Sequence, residues 1–188
     1  PKFGTRIITI GTPDLKIYYV VDYDVVGAKN WQQTHAISLI FQNNRKWKPL
    51  GIYVDQGYGE VQIENMELIS MSAKDKDDKR IVDIIHPVQF GGTIDVIDPF
   101  TGLKKPKPLK GFIVGNSVRY FERGEIRIPS ELKKLKQQLE SYTKLGESES
   151  GVIKYGPPKG YEDTIGDHDL IAFILCLFGF TMEFSPLI

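Results

Sequence analysis

The apolar residues of this chain fall in short runs divided by glycine, proline and charged positions, and their spacing predicts alternating strands and helices. Residues 6–10 read as a first strand closed by Gly11, Thr12 and Pro13, and residues 17–22 as a second. A Gly27-containing loop leads to residues 34–41, read as a third strand with one half-buried face. Asn43 and Asn44 then suggest a tight turn before a strand over 47–55, with Gly51 as its bulge. After a glycine turn at Gly57 and Gly59, Val61, Met66, Leu68 and Ile69 recur at helical spacing over 60–72. A charged linker over 73–80 and a strand over 81–85 complete a strand–helix–strand unit, for which a right-handed crossover is expected.

The second half is punctuated more densely. Residues 91–111 hold many turn formers and read as an exposed hairpin or loop insertion. A helix over 116–123 stops at Gly124, a short strand follows over 125–128, and Pro129-Ser130 opens a helix over 131–145. A polar loop over 146–151, a strand over 152–155 and an irregular connection over 156–166 lead to a last helix beginning near Asp167 to Asp169. The expected fold class is α/β: a mixed central sheet flanked by helices.

Composition narrows the class further. With 188 residues, 41% hydrophobic and 26% charged, the chain suits one domain with a sizeable core. Basic and acidic residues balance at 24 each, so net charge does not advertise a nucleic-acid partner and local clusters must carry any such signal. Cys176, the single cysteine, sits inside an apolar run, which excludes an intrachain disulfide and a cysteine-based zinc site and favours a reducing compartment. No secretion signal is recognisable at the start of the sequence. The apolar run over 170–180 is about half the roughly 20 residues that a membrane-spanning helix needs.

Three carboxylates stand where apolar segments meet solvent: Asp22 ends one predicted strand, Asp55 ends another, and Asp169 opens the last apolar run. Hard ions such as Mg²⁺ and Mn²⁺ take carboxylate oxygens. Two of them about 3.5–4 Å apart can activate water and stabilise the leaving oxygen of a phosphodiester. Each aspartate also has a plainer role open to it. Asp167 or Asp169 can cap the last helix, a role worth about 0.5–2 kcal/mol, and Asp55 can serve a turn. Asp24 competes with Asp22.

Four segments, in order, resemble the nuclease domain of the large terminase subunit, the DNA-packaging motor of tailed viruses. They are Tyr19-Val-Val-Asp-Tyr-Asp24 with Thr34-His-Ala-Ile-Ser38; Ile52-Tyr-Val-Asp-Gln-Gly-Tyr-Gly59; Phe121-Glu-Arg-Gly-Glu-Ile-Arg-Ile-Pro129 with the Leu132–Leu139 helix; and Gly166-Asp-His-Asp-Leu-Ile-Ala-Phe173. The resemblance covers roughly residues 17–180. It implies an RNase H-like fold and two-metal cleavage of concatemeric viral DNA with little sequence specificity. Carried over, Asp22 and Asp55 are the first two ligands for Mg²⁺ or Mn²⁺, and the third is Asp169, with Asp167 as a further or alternative ligand.

The match departs from the family in two places. His168 stands where the family often has aspartate, and the interval before the Asp55 segment is short. The resemblance also implies double-stranded DNA, a terminase ATPase domain, a portal and a small terminase subunit as partners, with assembly in the host cytoplasm. No segment has the G-x-x-x-x-G-K-[S/T] phosphate loop of that ATPase, so residues 1–188 are expected to form the nuclease domain alone.

Lys104, Lys105, Lys107 and Lys110, interleaved with Pro106 and Pro108, form an extended basic segment suited to sequence-independent phosphate contacts. Lys133, Lys134 and Lys136 read as the wet face of a helix, and His35 and His86 as packing or surface residues. Two rival functions share the same features. One is another RNase H-like nuclease of resolvase or transposase type; the other is a non-catalytic docking module whose carboxylates only cap and pair.

Overall fold

The computed structural model describes residues 4–148 and 153–184. Strands β1 (Thr5–Gly11) and β2 (Tyr18–Val26) form an antiparallel ribbon whose turn is built by Thr12 and Asp14, the Asp14 carboxylate accepting from the amides of Lys16 and Ile17. The register slips between Thr9 and Ile10, leaving Val21 as an extra residue on β2. That bulge inverts side-chain parity. Val20 and Tyr23, three apart, both face the core, whereas Asp22 and Asp24 turn to the opposite side.

Helix α1 (Gln33–Trp47) occupies the segment read as a strand and a turn. Ala36, Ile37, Phe41 and Asn44 are its buried residues, and the steps of four and three from Ile37 through Phe41 to Asn44 are ones that only a helix places on one face. Asn44 is buried inside the helix, donating to the Asp77 carbonyl at 2.6 Å, so no turn forms there. Lys48 ends the helix in the left-handed region at φ 48°, just before Pro49. The next strand, β3 (Ile52–Asp55), is therefore shorter than expected, and Gly51 precedes it rather than bulging it.

Asp55 caps α2 (Gln56–Ser72) by accepting from the Gly57 amide at 3.1 Å. Two single turns, α3 (Lys76–Lys79) and α4 (Ile81–Ile84), replace the linker and most of the predicted strand, and β4 (Ile85–Val88) begins only at Ile85. The strand–helix–strand expectation otherwise stands, since β3 and β4 pair in parallel with α2 between them.

Residues Thr93–Ile97 (β5) and Lys104–Pro108 (β6) form the expected hairpin. Asp98 fastens its tip through the Phe100 and Thr101 amides, with Gly102 at φ 66°. Helix α5 (Leu109–Glu122) starts seven residues before the predicted position and ends, as expected, before Gly124, whose φ is 66°. A two-residue strand β7 (Ile126–Arg127) runs parallel to β2. Helix α6 (Lys133–Ser141) is shorter than predicted because residues 143–147 leave it to form β8 (Thr143–Glu147), paired with β9 (Ile153–Gly156). Val152, which the sequence places in that last strand, lies outside the described residues.

Helix α7 (His168–Phe184) is the apolar centre of the molecule. Leu170, Phe173, Ile174, Leu177 and Phe178 pack against β1, β2, α5 and α6, while a second cluster joins α1, α2, α4, β3 and β4. The protein is thus mixed α/β, and among the described residues its strands form four small sheets rather than one: β1–β2–β7, β3–β4, β5–β6 and β8–β9. No helix among the described residues is long and apolar enough to cross a membrane.

Where α7 crosses β3, Gly179 lies against Tyr53. A Cβ there would approach the Tyr53 ring to 2.5 Å, and that ring is already wedged beside His86 and Phe178. Gly179→Ala gains about 1 kcal/mol of helix propensity but overpacks this contact by about 1–3 kcal/mol. We expect a net loss of about 1 kcal/mol, seen as a lower urea midpoint with an unchanged slope.

Candidate metal centre

The bulge in β2 decides where the first predicted ligand goes. Asp22 faces α1 and is held there by the Lys46 ammonium at 2.6 Å and the Trp47 indole at 2.7 Å. Those partners, Lys46 foremost, keep its carboxyl below the ordinary carboxylate range. Asp24, its competitor, faces the same way and accepts from Asn43 at 2.8 Å. Tyr23, between them, points through the other face of the ribbon to α7 and donates its hydroxyl to Asp169.

Asp169 is fully buried and saturated with donors. Arg6 Nε donates to Oδ1 at 2.9 Å, Gln138 Nε2 donates to Oδ2 at 2.8 Å, and the Lys134 ammonium stands 3.9 Å away. Lys134 is thus more than a solvated helix-face residue. Gln138 also accepts from the Leu170 amide and donates to the Ile165 carbonyl, so α6 ties down the start of α7. A carboxylate without solvent access, already meeting four donor groups, survives burial because its charge is matched.

Asp55 and Asp167 form a different grouping. Asp55 ends β3, half-buried, and burial is the main reason its carboxyl sits above the ordinary range; the Asp167 charge pushes it the same way, while the Gly57 amide, Lys110 and His168 oppose. Asp167 and Asp55 therefore share one field, arriving from the start of α7 and the end of β3. His168 is held below its ordinary pKa, mainly by burial, and is a neutral imidazole near pH 7.

Two further groups enter this site. The Lys110 ammonium, which the sequence assigns to DNA, reaches inward from α5 to the Tyr155 carbonyl at 3.2 Å and offsets the Asp55 charge. The Tyr142 hydroxyl is buried with no hydrogen-bond partner, and its phenol is held protonated by burial and by the Asp167 charge. Tyr142 was not legible as a site residue, since it falls inside a predicted helix; its placement beside Asp167 comes from the end of α6 and the turn into β8.

Asp55 thus lies within electrostatic range of Asp167, His168 and Lys110, and Asp167 within range of Tyr142, while Asp22 and Asp169 lie on opposite faces of the β1–β2 ribbon. Among the described residues no group of three or more His, Cys, Asp or Glu side chains is disposed to hold a metal. Of the basic hairpin, Lys104 and Lys107 are exposed, Lys105 is exposed but salt-bridged to Asp98 at 2.6 Å, and Lys110 belongs to the Asp55 site.

The donor set bears on which ion would suit the site. Two carboxylates offer oxygens of the kind Mg²⁺ and Mn²⁺ accept, both ions keeping several waters. The orphaned Tyr142 hydroxyl and the raised Asp55 carboxyl are both groups that a cation with its waters, or a phosphate, would satisfy. No protein-family model, curated protein or solved structure matches the chain.

Proposed function

We propose that the chain is a metal-dependent endodeoxyribonuclease domain with an RNase H-like arrangement, acting on viral DNA during genome packaging as in large terminase subunits. The observation that carries this reading is that Asp55 at a strand end and Asp167 at a helix start feel each other's charge, with the Lys110 ammonium acting on Asp55 and the buried Tyr142 hydroxyl on Asp167. The antiparallel β1–β2 ribbon and the parallel β3–α2–β4 unit support it as well. Double-stranded DNA, an ATPase domain, a portal and a small terminase subunit are the proposed partners, in the host cytoplasm.

In this reading Asp55 and Asp167 hold Mg²⁺ or Mn²⁺, which supplies Lewis-acid charge for phosphodiester hydrolysis. The remaining roles belong to the chain. Neutral His168 can take a proton from an attacking water, and the protonated Tyr142 hydroxyl can donate to a phosphate oxygen. Lys110 pairs with the phosphate charge that arrives. Lys104 and Lys107 extend the contact along the backbone in a salt-sensitive way.

Plasmid nicking with Mn²⁺, repeated with Asp55→Asn and Asp167→Asn, tests the assignment. We expect both variants to lose cleavage, whereas undiminished rates in both would remove this site from any nuclease chemistry. Comparing linear duplex, four-way junction and RNA–DNA hybrid substrates separates a packaging nuclease from a resolvase.

A further inference from the structure

Strands β1 and β3 lie beneath the same helix α7 and, on their other side, beneath α1, yet they do not pair with each other. Between them is a cavity of about 940 Å³. Its two side walls are strands, residues 5–11 of β1 and 52–55 of β3; among the described residues β1 pairs only with β2 and β3 only with β4, and the Cys176 thiol donates to the Ile8 carbonyl. Its roof and floor are apolar, with Ile37 and Ile40 from α1 and Ala172 and Leu175 from α7.

We infer that this cavity is a slot for one extended β-strand, supplied by a partner polypeptide and apolar on both faces. Size supports the assignment. A seven-residue strand, the length of β1, is about 23 Å long, and a slice about 4.8 Å wide and about 10 Å deep occupies about 1,100 Å³. The cavity's volume is close to that figure. Chemistry supports it more strongly. Backbone N–H and C=O groups along a strand edge are paired best by another backbone, which alone offers donors and acceptors at the ladder spacing along both walls. A lipid or other apolar ligand fills volume but leaves both edges unsatisfied.

The roof and floor fix the side chains. A strand covered by helices on both faces reads as a continuous Val- and Ile-rich run instead of an alternating one. Asp55 and His168 border the cavity, so the inserted strand comes beside the residues of the candidate metal centre. Once seated, it would join β7–β2–β1 to β3–β4 in one sheet. The inference does not depend on the nuclease reading.

The experiment uses the full chain and the peptide acetyl-Lys-Lys-Val-Ile-Thr-Val-Ile-Val-Thr-Lys-Lys-amide. Amide hydrogen exchange in β1 and β3 is expected to slow by at least about tenfold on adding it. The emission of Trp31 and Trp47, the chain's two tryptophans, should also shift, because both border the slot. A peptide with proline at the central valine is expected to do neither, and Ala172→Phe, which places a ring in the slot, should abolish the response. Equal binding of the proline peptide, or binding without protection of β1 and β3, would overturn the inference in favour of simple apolar filling. Protection of the same amides in the protein alone, rising with concentration as a dimer forms, would overturn the partner assignment and name a second copy.

Discussion

Asp169→Ala will destabilise the fold by about 3–5 kcal/mol, the range observed when one member of a buried ion pair is removed. The loss follows from what remains behind. Arg6 keeps its charge at a side-chain exposure of 10%, Tyr23 keeps a half-buried hydroxyl directed at the vacated carboxylate position, and Gln138 loses one of the two acceptors of its amide. For a chain of this length each kcal/mol moves Tm by about 2–4 °C, so a fall of about 10 °C is expected in calorimetry. The opposite result discriminates sharply. A metal ligand held near other carboxylates relieves repulsion when neutralised, so an Asp169→Ala protein as stable as its parent, but deaf to Mn²⁺, would return Asp169 to the metal site.

That contrast also explains what could and could not be read from the chain. The aspartates flanking apolar runs were visible, as was the β3–α2–β4 unit, because local period and turn residues specify both. The sides to which the aspartates point were not. A single extra residue, Val21, inverts the parity of β2 and sends Asp22 toward Lys46 and Trp47 while Tyr23 takes the inward place. Bulges are set by pairing with a partner strand, so their position is non-local information.

Helix α1 failed for a different reason. Over 34–41 its apolar residues satisfy either period, and only the extension through Asn44 and Trp47 to the stop at Lys48-Pro49 decides for a helix. The division into four small sheets was likewise hidden, because whether β1 meets β3 depends on what lies between two segments some forty residues apart. Lys110 and Tyr142 joined the site through tertiary placement alone. The sequence places one in a basic segment and the other inside a helix.

Asp55→Asn is expected to separate stability from chemistry more cleanly than any other change. Asparagine caps a helix about as well as aspartate, so the start of α2 and its bond from Gly57 are retained. The wild-type carboxyl has a folded pKa raised above its ordinary 3.8, mainly by burial. A carboxyl shifted upward favours the folded state at low pH, and that contribution is lost as pH rises through the folded value. Above that range the charged Asp55 is a burden, so the variant should melt higher by about 1–3 °C at pH 7 and match or fall below the parent near pH 3. Cleavage should move the other way. Losing one of the two carboxylates proposed to hold the ion would remove charge where a phosphodiester gains it, an effect of at least about 100-fold in rate on the scale of other electrostatic contributions. Asp22→Asn weakens a partly exposed pair with Lys46 worth about 0–1 kcal/mol and keeps an amide oxygen for the Trp47 indole, so it should leave both Tm and nicking near the parent's values. A variant set in which Asp22→Asn abolishes cleavage while Asp55→Asn does not would place the metal on the α1 face of the ribbon, beside Lys46, and away from the end of β3.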